Sequence, residues 1–255
     1  MRRSVFLTSA LTALAPLALA ACGGDESGKP SGTRGERSSV PRTPGVVVSR
    51  EQDSDDPAIA WIQHRIRTQL AKKEIDTTAR GWRSHLPFPF APPTAFDPKK
   101  DYLWTLDTDH GALRVRLFAR KAPKHVAAIV HLSLMGFYDG LTLHRVVRGK
   151  AVEGGDPVGD GLGSPGWVLE PEYAMERDNA HDRRGLVTST GIGGPTDDSK
   201  FRILLAPDPS LDRQSTVLGE VEAGMDVVAK IEALGTETGD PKERIVIVRA
   251  DVSIR

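Results

Sequence analysis

Hydrophobic and polar positions change period several times along the chain. Val5 to Ala21 is a mostly apolar run of 17 residues, and from Gly23 to about Asp53 no apolar period exists. Beyond it, Ile59, Ile62, Ile66 and Leu70 recur at spacings of three and four, with Trp61 beside them, and predict one amphipathic helix from Pro57 to about Lys73. Asp55-Asp56-Pro57 supplies an acidic N-cap and a proline at the first helical position. Leu86 to Pro93 holds too many prolines for a helix or a central strand. Its aromatic residues suit packing across a surface, and a plain linker is the alternative. From Asp101 the period becomes two. Tyr102–Leu106 and Leu113–Leu117 flank the turn-rich stretch 107–111 and predict a β-hairpin. Pro123 opens a helix carrying Val126, Ile129, Val130, Leu132 and Leu134 and stopping at Gly136. Short strands between glycine-rich loops follow, then a helix around Met225 to Ile231 and a closing strand at Arg244–Val248. Many short strands with two helices predict a closed β-barrel rather than a parallel sheet.

Composition narrows the class. The chain has 255 residues, 39% hydrophobic and 27% charged, with 34 basic against 34 acidic side chains. That excludes collagen-like, coiled-coil and wholly disordered proteins. The zero net charge gives no electrostatic footprint for nucleic acid, and one cysteine permits neither an internal disulfide nor a thiolate metal cage. Arg2 and Arg3 before the apolar run give residues 1–21 the layout of an export signal. Thr8, Ser9, Thr12 and Pro16 make the run too short and polar for a membrane-spanning helix. It ends on Leu19-Ala20-Ala21-Cys22, which resembles the bacterial lipobox. The resemblance implies that Cys22 is lipidated and becomes the mature N-terminus, anchoring the protein outside the cytoplasm to a membrane of a bacterial envelope. Residues 22–54, rich in Gly, Ser, Pro and mixed charge, read as a disordered tether. Val46-Val47-Val48 is too little there to define a strand. Residues 55–99 then form a helical and proline-rich extension.

Several chemistries are dismissed on spacing. Gly161-Leu162-Gly163-Ser164-Pro165-Gly166 has dinucleotide-motif spacing, but Pro165 and the strand-like Trp167-Val168-Leu169 deny it the helix that would hold a pyrophosphate. Asp156 and Asp160 lack the other oxygen ligands of a calcium loop. The seven histidines contain no HExxH, and no GxSxG is present.

What stands out is Gly136-Phe137-Tyr138-Asp139-Gly140-Leu141-Thr142-Leu143-His144-Arg145-Val146-Val147, followed by Glu153-Gly154-Gly155-Asp156-Pro157. With Arg184–Val187, Leu211-Asp212, Val217–Val221 and Gly224–Val228, it resembles the cyclophilin-type peptidyl-prolyl isomerase family over about residues 100–255. The resemblance implies a mainly β fold, a closed eight-stranded antiparallel barrel capped by two helices, preceded here by the N-terminal helical extension. It also implies a groove for proline-containing peptides or unfolded protein clients, with no cofactor and no metal. The family's catalytic arginine matches Arg145. His144, its neighbour, is expected to face the barrel interior, since successive strand residues point to opposite faces.

The remaining groove positions keep the family's leucine at Leu211 and largely depart from the family elsewhere. They are Lys150, Ala151, Glu153, Thr190, Gly191, Lys200, Arg202, Leu211 and Ser215. Lys150 and Arg202 replace phenylalanines, Glu153 a glutamine and Ser215 a histidine, while Ser210 replaces a tryptophan. Each lost ring removes roughly 1.5–3 kcal/mol of apolar burial from a proline slot. Arg145, Lys150, Lys200 and Arg202 are expected to surround one region with Glu153 as the nearest acid. Either Glu153 and Asp197-Asp198 neutralise them, or the groove takes an anionic ligand. Three readings follow: an exported, lipid-anchored proline isomerase with a divergent groove, a non-catalytic cyclophilin-like domain whose basic groove binds a peptide or another anion, or a barrel that is only a structural module of an envelope assembly.

Overall fold

The period-two segments fold into strands that share one sheet, and the segments of period three to four become helices against it. A computed structural model describes residues 46–87, 96–173, 180–195 and 199–255. The signal segment, Cys22, most of the tether, residues 88–95 and Asp197-Asp198 lie outside them. The elements are β1 (Val46–Val47), α1 (Pro57–Ala71), β2 (Tyr102–Thr108), β3 (Gly111–Leu117), α2 (Pro123–Leu134), β4 (Arg145–Val147), β5 (Ala151–Gly154), β6 (Leu186–Ser189), β7 (Phe201–Leu204), β8 (Val217–Ala223), α3 (Met225–Ala233) and β9 (Ile247–Ile254). Among the described residues the sheet has nine strands in the order β1-β9-β2-β3-β8-β6-β7-β5-β4, all neighbours antiparallel.

The ladders do not draw a closed eight-stranded barrel. The sheet is a curled half-barrel with β1 and β4 at its ends. What draws the ends together is irregular backbone: Thr142 bridges Val246, Gly140 N–H donates to Ile247 O at 2.7 Å, and Leu143 N–H donates to Ile245 O at 3.0 Å. These contacts engage the lead-in to β4 with the lead-in to β9, on the edge of β9 where β1 also pairs. Val46-Val47 is therefore a strand after all, held by β9 rather than by its own length.

Two boundaries differ from expectation. The hairpin ladder runs through Asp107 and Thr108, so its turn shrinks to Asp109-His110. The closing strand is Ile247–Ile254, not Arg244–Val248, because its partner β2 extends alongside that later stretch. Inward faces pack Trp104 edge-on to Tyr138 and Phe201, with centroids 5.2 and 4.9 Å apart, and the Trp104 indole donates to Ser133 Oγ at 2.9 Å.

The extension is part of the same core. Asp56 caps α1 by accepting from Ala58 and Ile59 N–H, and its other oxygen accepts from Lys100 and the Tyr102 hydroxyl at 2.8 and 2.9 Å. Ile59, Ile62 and Ile66 are buried and α1 packs against α2, whereas Leu70 is exposed and Gln63 takes a buried place. Gln63 donates to Ser49 O and Gln52 O and accepts from Ser54 N–H, all within 2.8 Å. Arg50 grips Asp139 at 2.6 and 3.0 Å and donates to Ala250 O at 2.8 Å. Residues 46–54, read from sequence as tether, are thus a strap fixed to the barrel by buried polar groups that no apolar period announces.

Candidate functional site

Cross-strand register sets the site. Arg145 of β4 lies opposite Glu153 of β5, Glu153 opposite Arg202 of β7, and Arg202 opposite Thr188 of β6. Residues directly opposite share a face, so these four form one row across the outside of the sheet. The next row, Val146, Val152, Ile203 and Val187, faces the core. Arg202 Nε donates to Glu153 Oε1 at 2.9 Å, and both side chains are nearly covered, 12% and 13% exposed. The Arg145 guanidinium stands 3.7 Å from the same oxygen and is 46% exposed. Arg202 and Glu153 are committed to each other; Arg145 reaches out of the row into solvent.

A cleft of about 490 Å³ opens over this row, lined by His144, Arg145, Glu153, Thr190, Lys200 and Arg202, together with loop residues 159–162 and 238–240. Two loops shape it. In residues 156–163, buried Asp156 accepts from Val158 N–H at 2.8 Å and Gly163 N–H at 3.2 Å. Burial opposes the charge on Asp156, but these backbone donors, with those of Gly159 and Gly161, outweigh it and hold the carboxyl below its usual range. Gly163 must lack a side chain, because a Cβ there would lie 1.9 Å from Asp156 Oδ1. In the second loop, Gly239 adopts φ +104°, and a Cβ on it would come within 2.9 Å of Arg145 Cγ and Nε. The stem of Arg145 rests on the bare Gly239 backbone.

Of the residues expected at the site, Arg145, Glu153, Thr190, Lys200 and Arg202 meet in the cleft, and Gly191 follows Thr190 in the adjoining loop. Lys150 does not line it. It sits in the exposed turn between β4 and β5, beside Gly149 at φ +70°, and its charge goes to water rather than into an apolar slot. Ala151 is buried opposite Leu204 on the outer face. Leu204 joins Leu211, Leu186 and Val217 in a small apolar cluster. Ser215 is buried and its hydroxyl donates to Ser189 O at 2.7 Å.

His144 is also corrected. It precedes the three-residue strand β4, where alternation does not hold, and it lines the cleft. Burial first, then the cations of Lys200 and Arg145, outweighs Asp156 and Glu153 and holds the ring below the usual histidine range. Asp160, Asp240 and Gly239 were missed too. A short Thr-Gly-Asp turn was the only signal for the last two. With these residues in place, Arg145, Lys200 and Arg202 are balanced by Glu153, Asp160 and Asp240, so the cleft is not the basic groove expected. No group of three or more His, Cys, Asp or Glu among the described residues could hold a metal ion.

The chain is similar to several known proteins. Peptidyl-prolyl cis-trans isomerase CYP18-2 of Arabidopsis thaliana is 34% identical over 150 residues, 58% of this chain and 92% of that one. Peptidyl-prolyl cis-trans isomerase cypE of Dictyostelium discoideum is 34% identical over 149 residues, 57% and 94% of the two chains. Peptidyl-prolyl cis-trans isomerase cyp15 of Rhizopus delemar is 37% identical over 147 residues, but the match spans only 23% of that longer protein. Among solved structures, the cyclophilin type peptidyl-prolyl cis-trans isomerase of Cryptosporidium parvum superposes with a TM-score of 0.56 at 25% identity, covering 61% of this chain and 98% of that one. The same protein crystallised in the presence of the dipeptide Ala-Pro gives 0.55 at 25% identity, covering 60% and 98%. Residues 103–252, from the second residue of β2 to the inward-facing Val252 of β9, match the family described as cyclophilin type peptidyl-prolyl cis-trans isomerase/CLD, and on that match the chain belongs to this family.

Proposed function

We propose that the chain is an exported, lipid-anchored peptidyl-prolyl isomerase that acts on proline-containing segments of unfolded proteins outside the cytoplasm. The observation that carries the catalytic part is Arg145. Its stem is seated on Gly239, and its head is half exposed at the wall of a cleft of about 490 Å³. An X-Pro bond rotates unaided in tens to hundreds of seconds, against an amide-resonance barrier of roughly 18–20 kcal/mol. A fixed guanidinium directed at the prolyl nitrogen stabilises the lone pair as it localises in the twisted amide. Nothing needs to be covalently bonded, and no proton needs to move. That the Cryptosporidium protein was crystallised in the presence of the dipeptide Ala-Pro supports a proline-containing client. In an isomerisation assay on the full chain, wild type accelerates cis–trans exchange and Arg145→Ala is slower by about 10²-fold. Equal, uncatalysed rates for both would reject the enzyme.

One observation favours a second reading. The Glu153–Arg202 ion pair occupies the ground where the family keeps glutamine and phenylalanine. A cleft without that apolar floor suits peptide capture without catalysis, and the same assay, paired with a binding titration, separates the two. The anchor rests on Leu19-Ala20-Ala21-Cys22. Mass spectrometry of the mature protein should find acylated Cys22 as the first residue, and an unmodified Cys22 thiol would reject it.

A further inference from the structure

We propose that the cleft selects a lysine or arginine within two residues of the client's proline, its aliphatic stem lying on Leu162 and its cation at Asp160. The inference rests on reading the cleft as the client site. Leu162 lines the cleft yet is 85% exposed, a bare apolar side chain at the place where a peptide must pass. Asp160 Oδ1 accepts from Leu162 N–H at 2.8 Å, so one short turn fixes the carboxylate beside that apolar surface. Its other carboxylate oxygen accepts no hydrogen bond and joins no ion pair among the described residues. Long cationic side chains suit such a pair of groups, since they bury the stem on apolar surface and keep the head at a polar edge.

The remaining charges sharpen this choice. Arg202 is consumed by Glu153, and Arg145 lies 3.7 Å from the same carboxylate. Lys200 donates to the carbonyl of Gly161 at 3.0 Å. It offsets part of the pull of Asp160 and keeps the expected preference modest. Asp240, exposed and with no salt bridge among the described residues, gives a second part of the lining the same negative sign. Beside Leu162 a client glutamate would meet the Asp160 carboxylate, which no ion pair neutralises among the described residues, and a lysine there would meet a partner for its charge. Exposed pairs of this kind discriminate by about three- to fivefold between opposite charges.

The test uses the full chain and peptides with one X-Pro bond, placing Lys, Ala or Glu at each of the two positions before and after the proline. At one of these positions Lys should exceed Glu in kcat/KM by about three- to fivefold, with the gap closing as salt rises from 0.05 to 0.5 M. Asp160→Asn keeps the acceptor for Leu162 N–H and should bring the ratio to about one; Asp160→Lys should invert it. Equal rates for Lys and Glu at all four positions, or a preference untouched by Asp160→Asn, would overturn the inference. If no peptide is isomerised faster than the uncatalysed rate, the enzyme reading fails separately. The ratio is then read from chemical-shift titrations of the same peptides, where a Lys preference lost in Asp160→Asn supports selection and its absence refutes it.

Discussion

Arg202 and Glu153 form a nearly covered ion pair where the family resemblance implies a phenylalanine and a glutamine. Each is nearly covered, and each satisfies the other at 2.9 Å. Removing one partner leaves the other desolvated, so Glu153→Ala should cost about 1–3 kcal/mol in urea unfolding, while exchanging both together should cost far less. The double variant Glu153→Gln/Arg202→Phe also gives a proline ring an apolar floor. It should raise kcat/KM about tenfold, the lower end of what burying one large side chain supplies, and an unchanged value would show that this ground does not contact the client. At this scale Arg145, Glu153, Lys200 and Arg202 were legible through the resemblance to the family's motifs. Lys150 and His144 were misplaced because turn geometry and a three-residue strand override alternation. Asp160 and Gly239 act through backbone shape, which side-chain pattern does not encode.

Helices and loops carry their own tests. His131 is buried in α2, and burial first, with the charge of Arg65 second, pushes its pKa down to about 3. The unfolded chain takes up that proton near the ordinary value of 6.5 and the folded chain does not. Stability therefore falls as pH drops through the window between the two. At about 1.4 kcal/mol per pKa unit the loss approaches roughly 3 kcal/mol by pH 4. His144 is depressed in the same direction. His110 runs the other way: burial opposes its charge, but bonds to Glu243 and Asp109 outweigh it and raise its pKa, so its contribution is lost as pH rises. Urea midpoints of wild type should fall between pH 7 and pH 4 more steeply than those of His131→Leu, and parallel slopes would contradict the assignment. In the 156–163 loop, Gly163→Ala forces a methyl against Asp156 and should lower client affinity and melting temperature together. The hairpin, α1, α2 and α3 were legible from period and caps. The limits of β9 were not, because its partner β2, rather than its most apolar stretch, decides where pairing begins.

For the molecule as a whole, the described residues before 100 share one core with the family domain that follows. Asp56, Lys100 and Tyr102 join the extension to the barrel, and Arg50 ties the strap to Asp139 and Ala250. Arg50→Ala should speed amide exchange at Val48, whose N–H donates to Val252 O at 2.8 Å, with little change at β5 or β7. These ties are polar contacts made by a few residues to partners far away in sequence, and so composition read the strap as tether. Neutral net charge proved to hold at the cleft as well, where three cations face three carboxylates. On the proposed function, isomerisation depends on Arg145, the half-exposed guanidinium of that cleft. The most direct measurement is exchange spectroscopy on a peptide with a single X-Pro bond, comparing wild type with Arg145→Ala. Cis–trans exchange accelerated by wild type and slower by about 10²-fold in the variant is the predicted result, whereas equal acceleration by both would contradict it.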